Sequence, residues 1–452
     1  MQLHVPLLDR WPSAMDNGHT GLTPMDQGPW QPILQGSAGE AALEAARAIA
    51  AALAAPSRAA STPSASLAGG DAGEALFFAY LAQAFPGEGH EEVALERLER
   101  AIAALAEDSP GPSLCSGFAG VAWATAHLQR LLGFEASPGD PNQEIDQALE
   151  KVLDPSATPL PSELLYGLAG IGVYYLERDP STSARLGLER VVERLDASSV
   201  RTPQGLAWTE AEGYGDGSDG APDGEPRFNL GLSHGVPGVV GILAQALARG
   251  ISPERTRRLL EGAVTWLLAQ ATPEPAPVAF PYFVTPSFRP SADTRSAWCY
   301  GDPGVAAALI AAGHAAQRPD WQRAALEVAL RAAQRPMADT GVVDAGLCHG
   351  AAGLALTFAR LFQTTGDERL RDAGVCWFEQ VLALRRPGRG IAGFQSWLPV
   401  EDGGQGWEWS DDPRFLTGAS GIGLALLAAA TCVEPAWDSV LLLRPPPAVG
   451  EA

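Results

Sequence analysis

Two apolar patterns alternate along most of this chain. In the first, alanine-rich runs such as Val121 to Leu132, Val239 to Ala248, Leu354 to Phe362 and Ile422 to Ala430 carry almost no charge. A helix that is apolar around most of its circumference has to be buried on most sides. In the second, Glu and Arg alternate with Leu, Val and Ala at helical spacing, as in Glu91 to Leu105, Ala184 to Leu195, Pro253 to Leu268, Trp321 to Ala333 and Glu368 to Leu384. These predict helices with one wet and one dry face. A Gly-x-x-Gly unit precedes each charge-poor run. Seven such units begin at Gly70, Gly117, Gly167, Gly235, Gly301, Gly350 and Gly418, spaced about 47 to 68 residues apart, and each closes three residues later. Repetition on this scale marks a stacked architecture in which each unit buries its face against the next. One buried and one half-buried helix per repeat, closed seven times, predicts an all-α fold: an α/α toroid, a double ring of seven inner and seven outer helices around a central channel. A glycine at the start of each inner helix permits a tight turn and a close approach that a Cβ would obstruct.

Three stretches break the rhythm: Thr202 to Leu230, Pro273 to Ser296 and Arg386 to Phe415. They are rich in Pro, Gly and acidic residues, are too long for ordinary connections, and each directly precedes a repeat. They are expected as loop insertions at the channel mouth. Ala55 to Gly70 reads as a Pro, Ser and Ala linker. The division expected is an N-terminal extension over 1–40, a single toroid over 41–443 and a tail over 444–452.

Charge narrows the partners. With 53 acidic against 31 basic residues the net charge is -22, which repels a nucleic-acid backbone. The N-terminus lacks the basic, apolar and small-residue succession of a secretory signal, and no apolar run is long enough to span a bilayer. A cytoplasmic protein without a transmembrane segment is expected. Five scattered cysteines, Cys115, Cys299, Cys348, Cys376 and Cys432, argue against a disulfide framework and leave thiolate chemistry open.

That chemistry falls on the two residues before the first glycine of a repeat. Repeat five reads Trp298-Cys299-Tyr300-Gly301 and repeat six Leu347-Cys348-His349-Gly350. Two thiols thus hold the same position in adjacent repeats, and ring closure would set Cys299, Cys348 and His349 around one ion. Two thiolates and an imidazole suit zinc, and three protein ligands leave a fourth position for catalysis. Cys115 also lies two residues before its glycine, but its repeat is three places from the fifth, outside the expected ligand set. Cys376 and Cys432 read as ordinary core thiols. His234 directly precedes Gly235 in repeat four. The positive end of a helix dipole there disfavours the imidazolium and suits proton exchange near neutrality. His127 and His314 lie within inner helices and read as structural, and His4, His19 and His90 as surface residues.

The runs Leu232-Ser233-His234-Gly235-Val236-Pro237-Gly238, Trp298-Cys299-Tyr300-Gly301-Asp302-Pro303-Gly304 and Leu347-Cys348-His349-Gly350-Ala351-Ala352-Gly353 resemble, in order, the three signature motifs of lanthionine synthetase C-like (LanC) cyclases. Tyr166 to Gly172, Phe415 to Ile422 and Trp437-Asp438 extend the resemblance over about residues 70 to 443. It implies a zinc-dependent lanthipeptide cyclase in which Cys299, Cys348 and His349 bind Zn2+ and His234 is the acid or base. A peptide cysteine would add to dehydroalanine or dehydrobutyrine in the same precursor, forming a (methyl)lanthionine thioether. Arg295 matches an arginine near the family's active site, and Glu163 stands where the family usually has aspartate. Tyr300 is a further candidate proton source. The partners implied are a dehydrated, leader-bearing precursor peptide, a separate dehydratase and an exporter, through which the protein would meet a membrane peripherally. Two other readings stay open: a zinc toroid like a protein prenyltransferase β subunit, and a LanC-like protein that binds zinc and peptides or small thiols without turnover.

Overall fold

In the computed structural model the chain is described over residues 30–55, 62–108, 110–133, 140–210, 222, 224–273, 275–290, 293–400 and 406–447. Fourteen α-helices run through these residues and alternate in burial. The even-numbered ones are α2 (Asp71–Ala84), α4 (Phe118–Leu132), α6 (Leu168–Arg178), α8 (Val236–Ala248), α10 (Asp302–Ala315), α12 (Ala351–Thr365) and α14 (Ala419–Ala430). They are the charge-poor runs, and in α8 every residue is buried. The odd-numbered ones are α1 (Gly36–Leu53), α3 (His90–Asp108), α5 (Gln143–Val152), α7 (Thr182–Ser198), α9 (Pro253–Ala269), α11 (Pro319–Gln334) and α13 (Glu368–Leu384). These bury one stripe, in α9 Thr256, Leu259, Leu260, Ala263, Val264 and Leu267, the three-four spacing of an amphipathic helix. Each even helix packs against the next even helix, and α14 packs back on α2. The inner ring is therefore closed. The outer helices α3, α5, α7, α9, α11 and α13 each cover the inner helix before them, while α1 covers α14.

Helix α1 thus seals the last repeat, and the ring starts earlier than the composition suggested. Trp30, Ile33 and Leu34 are buried; the Trp30 indole donates to Ala428 O at 2.7 Å, and Leu34 N donates to Ala429 O at 2.9 Å. The expected linker likewise ends inside the ring, with Ala65 and Leu67 buried. His4 and His19 lie outside the described residues.

A belt of backbone hydrogen bonds closes one end of the ring. Leu416 N donates to Ala68 O, Ala68 N to Cys115 O, Cys115 N to Leu165 O, Leu164 N to Ser233 O, Ser233 N to Cys299 O, Cys299 N to Cys348 O and Cys348 N to Leu416 O, all within 2.7–3.3 Å. Except for Leu164, every participant sits two residues before the first glycine of its repeat. The belt requires each turn to fold tightly onto the helix it starts. A Cβ on Gly353 would lie 1.7 Å from Leu347 O, and one on Gly117 2.1 Å from Gly111 O, so only glycine fits.

The insertions carry the strands. The first holds the hairpin of β1 (Val200–Thr202) and β2 (Gly205–Ala207), and then β3 (Phe228–Asn229). That strand pairs with β4 (Phe283–Val284) of the second insertion. The third forms the hairpin of β5 (Ser396–Pro399) and β6 (Trp407–Ser410). All lead into the belt end of the ring. Among the described residues no helix is long and apolar enough to cross a membrane.

Candidate metal centre

Three positions of each turn divide the work. The third residue before each first glycine is Leu67, Leu114, Leu164, Leu232, Trp298, Leu347 or Phe415, and all are buried. These anchors hold the turn in the core. The second residue joins the belt. The residue just before the glycine is Gly69, Ser116, Tyr166, His234, Tyr300, His349 or Thr417. Four of these seven are aromatic or imidazole side chains, gathered at one end of the ring by the same repeated turn.

The belt bond from Cys299 N to Cys348 O, 3.2 Å, sets the two cysteine turns side by side. One donor atom each from Cys299, Cys348 and His349 lie within 4.8 Å of one another, the one such group of three among the described residues. A tetrahedral zinc with Zn–S of about 2.3 Å wants donors about 3.5–3.8 Å apart, so small side-chain rotations suffice. Cys299 is buried, and Cys348 and His349 are half-buried. The residues fit an ion in a further respect: His349 Nε2 is buried without a hydrogen-bond partner, a costly state for a ring nitrogen unless a ligand uses it. The mutual hydrogen bond of the two sulfurs pushes Cys299 down to about 5 against the effect of burial, and pushes Cys348 well up. The pair thus gives up one thiol proton readily, and a bound cation would have to displace the other.

In the neighbouring repeats, His234 Nδ1 meets Glu163 Oε2 at 2.9 Å. Glu163 is buried and also accepts Leu165 N on Oε2 (2.9 Å) and Tyr166 N on Oε1 (2.7 Å). The carboxylate is thus fixed by backbone donors, and it fixes the imidazole in turn. Tyr166 lies nearly parallel to the His234 ring at 5.9 Å, and the Tyr300 ring is tilted to it at 6.4 Å. The longer Glu163 therefore reaches His234.

Tyr300 and Arg295 are held by the insertions. Asn229, on β3, donates to the Tyr300 hydroxyl at 2.9 Å and to Glu210 Oε1 at 2.7 Å. The Arg295 backbone N and Nε donate to the Tyr282 hydroxyl at 3.1 and 3.4 Å. Burial works against charge on Arg295, but that hydroxyl and the nearby thiols Cys299 and Cys348 hold it protonated. Burial is also the main reason the Tyr300 phenol is pushed up, so it stays protonated at neutral pH.

Sequence reading missed Tyr166, Asn229 and Tyr282. Tyr166 carried a usable signal, since it occupies the same place before the glycine as His234 and His349. Asn229 and Tyr282 lie in insertions with no periodicity to read. Cys115 sits in the belt with its thiol against Tyr166, pushed up to about 12 chiefly by burial, and stays outside the ligand group. His127 is a buried structural residue, bonded to Tyr80 and Glu177, while His314 is half-buried. Three expectations need correction. Cys376 and Cys432 are exposed rather than core thiols, because Cys376 lies on the wet face of α13 and Cys432 follows the end of α14. His90 is half-buried against Phe78 at the start of α3.

The profile of the "Lanthionine synthetase C-like protein" family matches residues 62–442. "Glutathione S-transferase LANCL1" of Danio rerio is 26% identical over 322 residues, 66% of this chain and 70% of that protein. "Nisin biosynthesis protein NisC" of Lactococcus lactis subsp. lactis is 25% identical over 276 residues, 56% of this chain and 63% of that protein. Among solved structures, "Nisin cyclase" superposes with a TM-score of 0.67 and 20% identity, covering 88% of this chain and 96% of that one.

Proposed function

Because the chain belongs to the lanthionine synthetase C-like family, we propose that it is a zinc-dependent lanthipeptide cyclase. On this reading it adds peptide cysteine thiols to dehydroalanine or dehydrobutyrine and forms (methyl)lanthionine rings. The observation that carries the reading is the convergence of Cys299, Cys348 and His349, with an unpartnered buried His349 Nε2, beside a carboxylate-held His234. Zinc held by those three residues would supply a Lewis-acidic open position that favours the thiolate form of a substrate thiol.

The chain's own residues do the remainder. In the net reaction an S–C bond forms at the alkene β-carbon, the C=C π bond is spent, and the thiol proton ends on the α-carbon. Glu163 takes His234 Nδ1, so proton exchange falls to Nε2 across the ring. The half-buried, protonated Arg295 offsets negative charge on the enolate oxygen. Tyr300, protonated and fixed by Asn229, is a second hydrogen-bond donor at this end of the ring. The Tyr166 and Tyr300 rings both lie near the imidazole, 5.9 and 6.4 Å from it. The substrate is a dehydrated precursor peptide. It would come from a separate dehydratase, and the product would leave through an exporter.

Similarity to a protein named as a glutathione S-transferase favours one second reading, in which the thiol is a small molecule. Two substrates separate them: a dehydrated peptide with its own cysteine, and the same peptide with that cysteine replaced by Ala, supplied with glutathione. The cyclase reading expects thioether formation with the first and little adduct with the second; the reverse pattern would transfer the assignment to the small thiol.

A further inference from the structure

The far end of the ring, where the inner helices finish, holds a cavity of about 390 Å³ unrelated to the metal centre. An inner helix of about thirteen residues is roughly 20 Å long, so this cavity lies about that far from the belt. Three guanidinium groups line it: Arg130 near the end of α4, Arg249 just after α8, and Arg444 beyond the last repeat. Two carboxylates face them, and one is already committed. Glu177 is buried, bonded to His127 Nδ1 at 2.7 Å and paired with Arg130. Asp179 approaches Arg249 Nε only to 3.4 Å. Arg444 has no ion-pair partner among the described residues, and its place at the rim is fixed by its carbonyl, which accepts Gln245 Nε2 at 2.8 Å.

Positive charge therefore exceeds negative by one in this cavity, in a protein whose net charge is -22. Burial and the nearby Arg444 both work against charge on Arg249. The C-terminal ends of α4, α6 and α8 offset a share of that charge, but Arg444 and Ser439 stand outside those helices. Ser439, one of the lining residues, supplies an independent sign: its Oγ is buried and has no hydrogen-bond partner. A buried hydroxyl without a partner is rare and asks for one.

We propose that this cavity is a binding site for a small oxyanion, a phosphate or a carboxylate, held between Arg249, Arg444 and the Ser439 hydroxyl. Guanidinium groups bind such oxyanions through paired N–H donors, and the hydroxyl adds a third contact. The site is separate from the proposed thioether chemistry and stands whether or not that reading holds.

The test is calorimetric titration of the full-length protein with sodium phosphate, and separately with sodium acetate, against sodium chloride at matched ionic strength. Saturable binding of phosphate or acetate is expected, and which of the two binds more tightly identifies the oxyanion class. Arg444→Ala should weaken binding about tenfold or more, and Ser439→Ala about three- to tenfold. Arg389→Ala, in a different cavity, should leave it unchanged. Arg249→Gln risks the fold because Arg249 also donates to the Gln245 carbonyl at 3.2 Å; the test therefore rests on Arg444 and Ser439. Heats no different from chloride for both anions, or binding that Arg444→Ala and Ser439→Ala leave intact, would overturn the proposal.

Discussion

Replacing Glu163 by Gln tests how His234 is held. The carboxylate accepts three donors, Leu165 N, Tyr166 N and His234 Nδ1, at 2.9, 2.7 and 2.9 Å, and it is only 5% exposed. Glutamine has one acceptor oxygen. If that oxygen keeps the backbone donors, its amide N–H points at His234 and forces the ring proton from Nδ1 to Nε2. The ring also loses its negatively charged hydrogen-bond partner. A hydrogen bond to a charged group is worth about 1.5–3 kcal/mol, and burial means solvent screening discounts little of it. At about 1.4 kcal/mol per decade, cyclisation should slow roughly 10- to 150-fold. Zinc content should not change, because Glu163 is not among the clustered ligands, and KM for the peptide should change little. Glu163→Asp keeps the charge and should recover most of the loss. The assay is single-turnover conversion of a dehydrated peptide, followed by thiol titration, with zinc measured on the same samples. A Gln variant at full rate, or one that has lost its zinc, would refute this role for Glu163.

Other outcomes follow from the same structure. Cys348→Ala should abolish zinc retention, while Cys376→Ala, on the exposed face of α13, should leave elemental analysis at about one zinc per chain. His234→Asn should keep the zinc yet slow cyclisation about 100- to 10,000-fold, the usual worth of acid–base assistance. Acidification should release the metal, because protons compete for both thiolates and the imidazole; zinc retained at the pH where a free Cys₂His site empties would contradict the ligand set. Arg360→Ala should cost about 3–5 kcal/mol in chemical denaturation, since it strands the fully buried Asp438 that Arg360 neutralises beside Glu434.

How much of this was legible beforehand follows from which interactions are periodic. Charge-free against amphipathic runs gave the two layers, since a helix wet on one side must alternate and one dry on all sides cannot. The register of the glycines also placed Cys299 beside Cys348, because equal positions in adjacent repeats become neighbours once the ring closes. The belt was not legible: backbone hydrogen bonds leave no mark on side-chain choice, and the belt positions hold Ala, Ser and Leu as readily as Cys. Nor was the capping role of α1, which looks like any amphipathic helix until its partner, some 370 residues later, is known. Tyr282 and Asn229 reach the site from insertions whose only sequence signal is irregularity. The exposure of Cys376 was a misjudgement of phase: within α13 it falls beside Asp372 and Glu379 on the wet face rather than with Leu370, Trp377 and Val381.

The central claim, mass-neutral thioether formation at this end of the ring, meets its most direct test in one incubation. Zinc-loaded protein is mixed with a dehydrated peptide carrying one free cysteine, and the peptide is then treated with a thiol-alkylating reagent and weighed by mass spectrometry. The account predicts that the peptide keeps its mass and no longer takes the alkyl group, and that Cys348→Ala protein leaves it fully alkylatable. A peptide that remains alkylatable after prolonged contact with the zinc-loaded protein would contradict it.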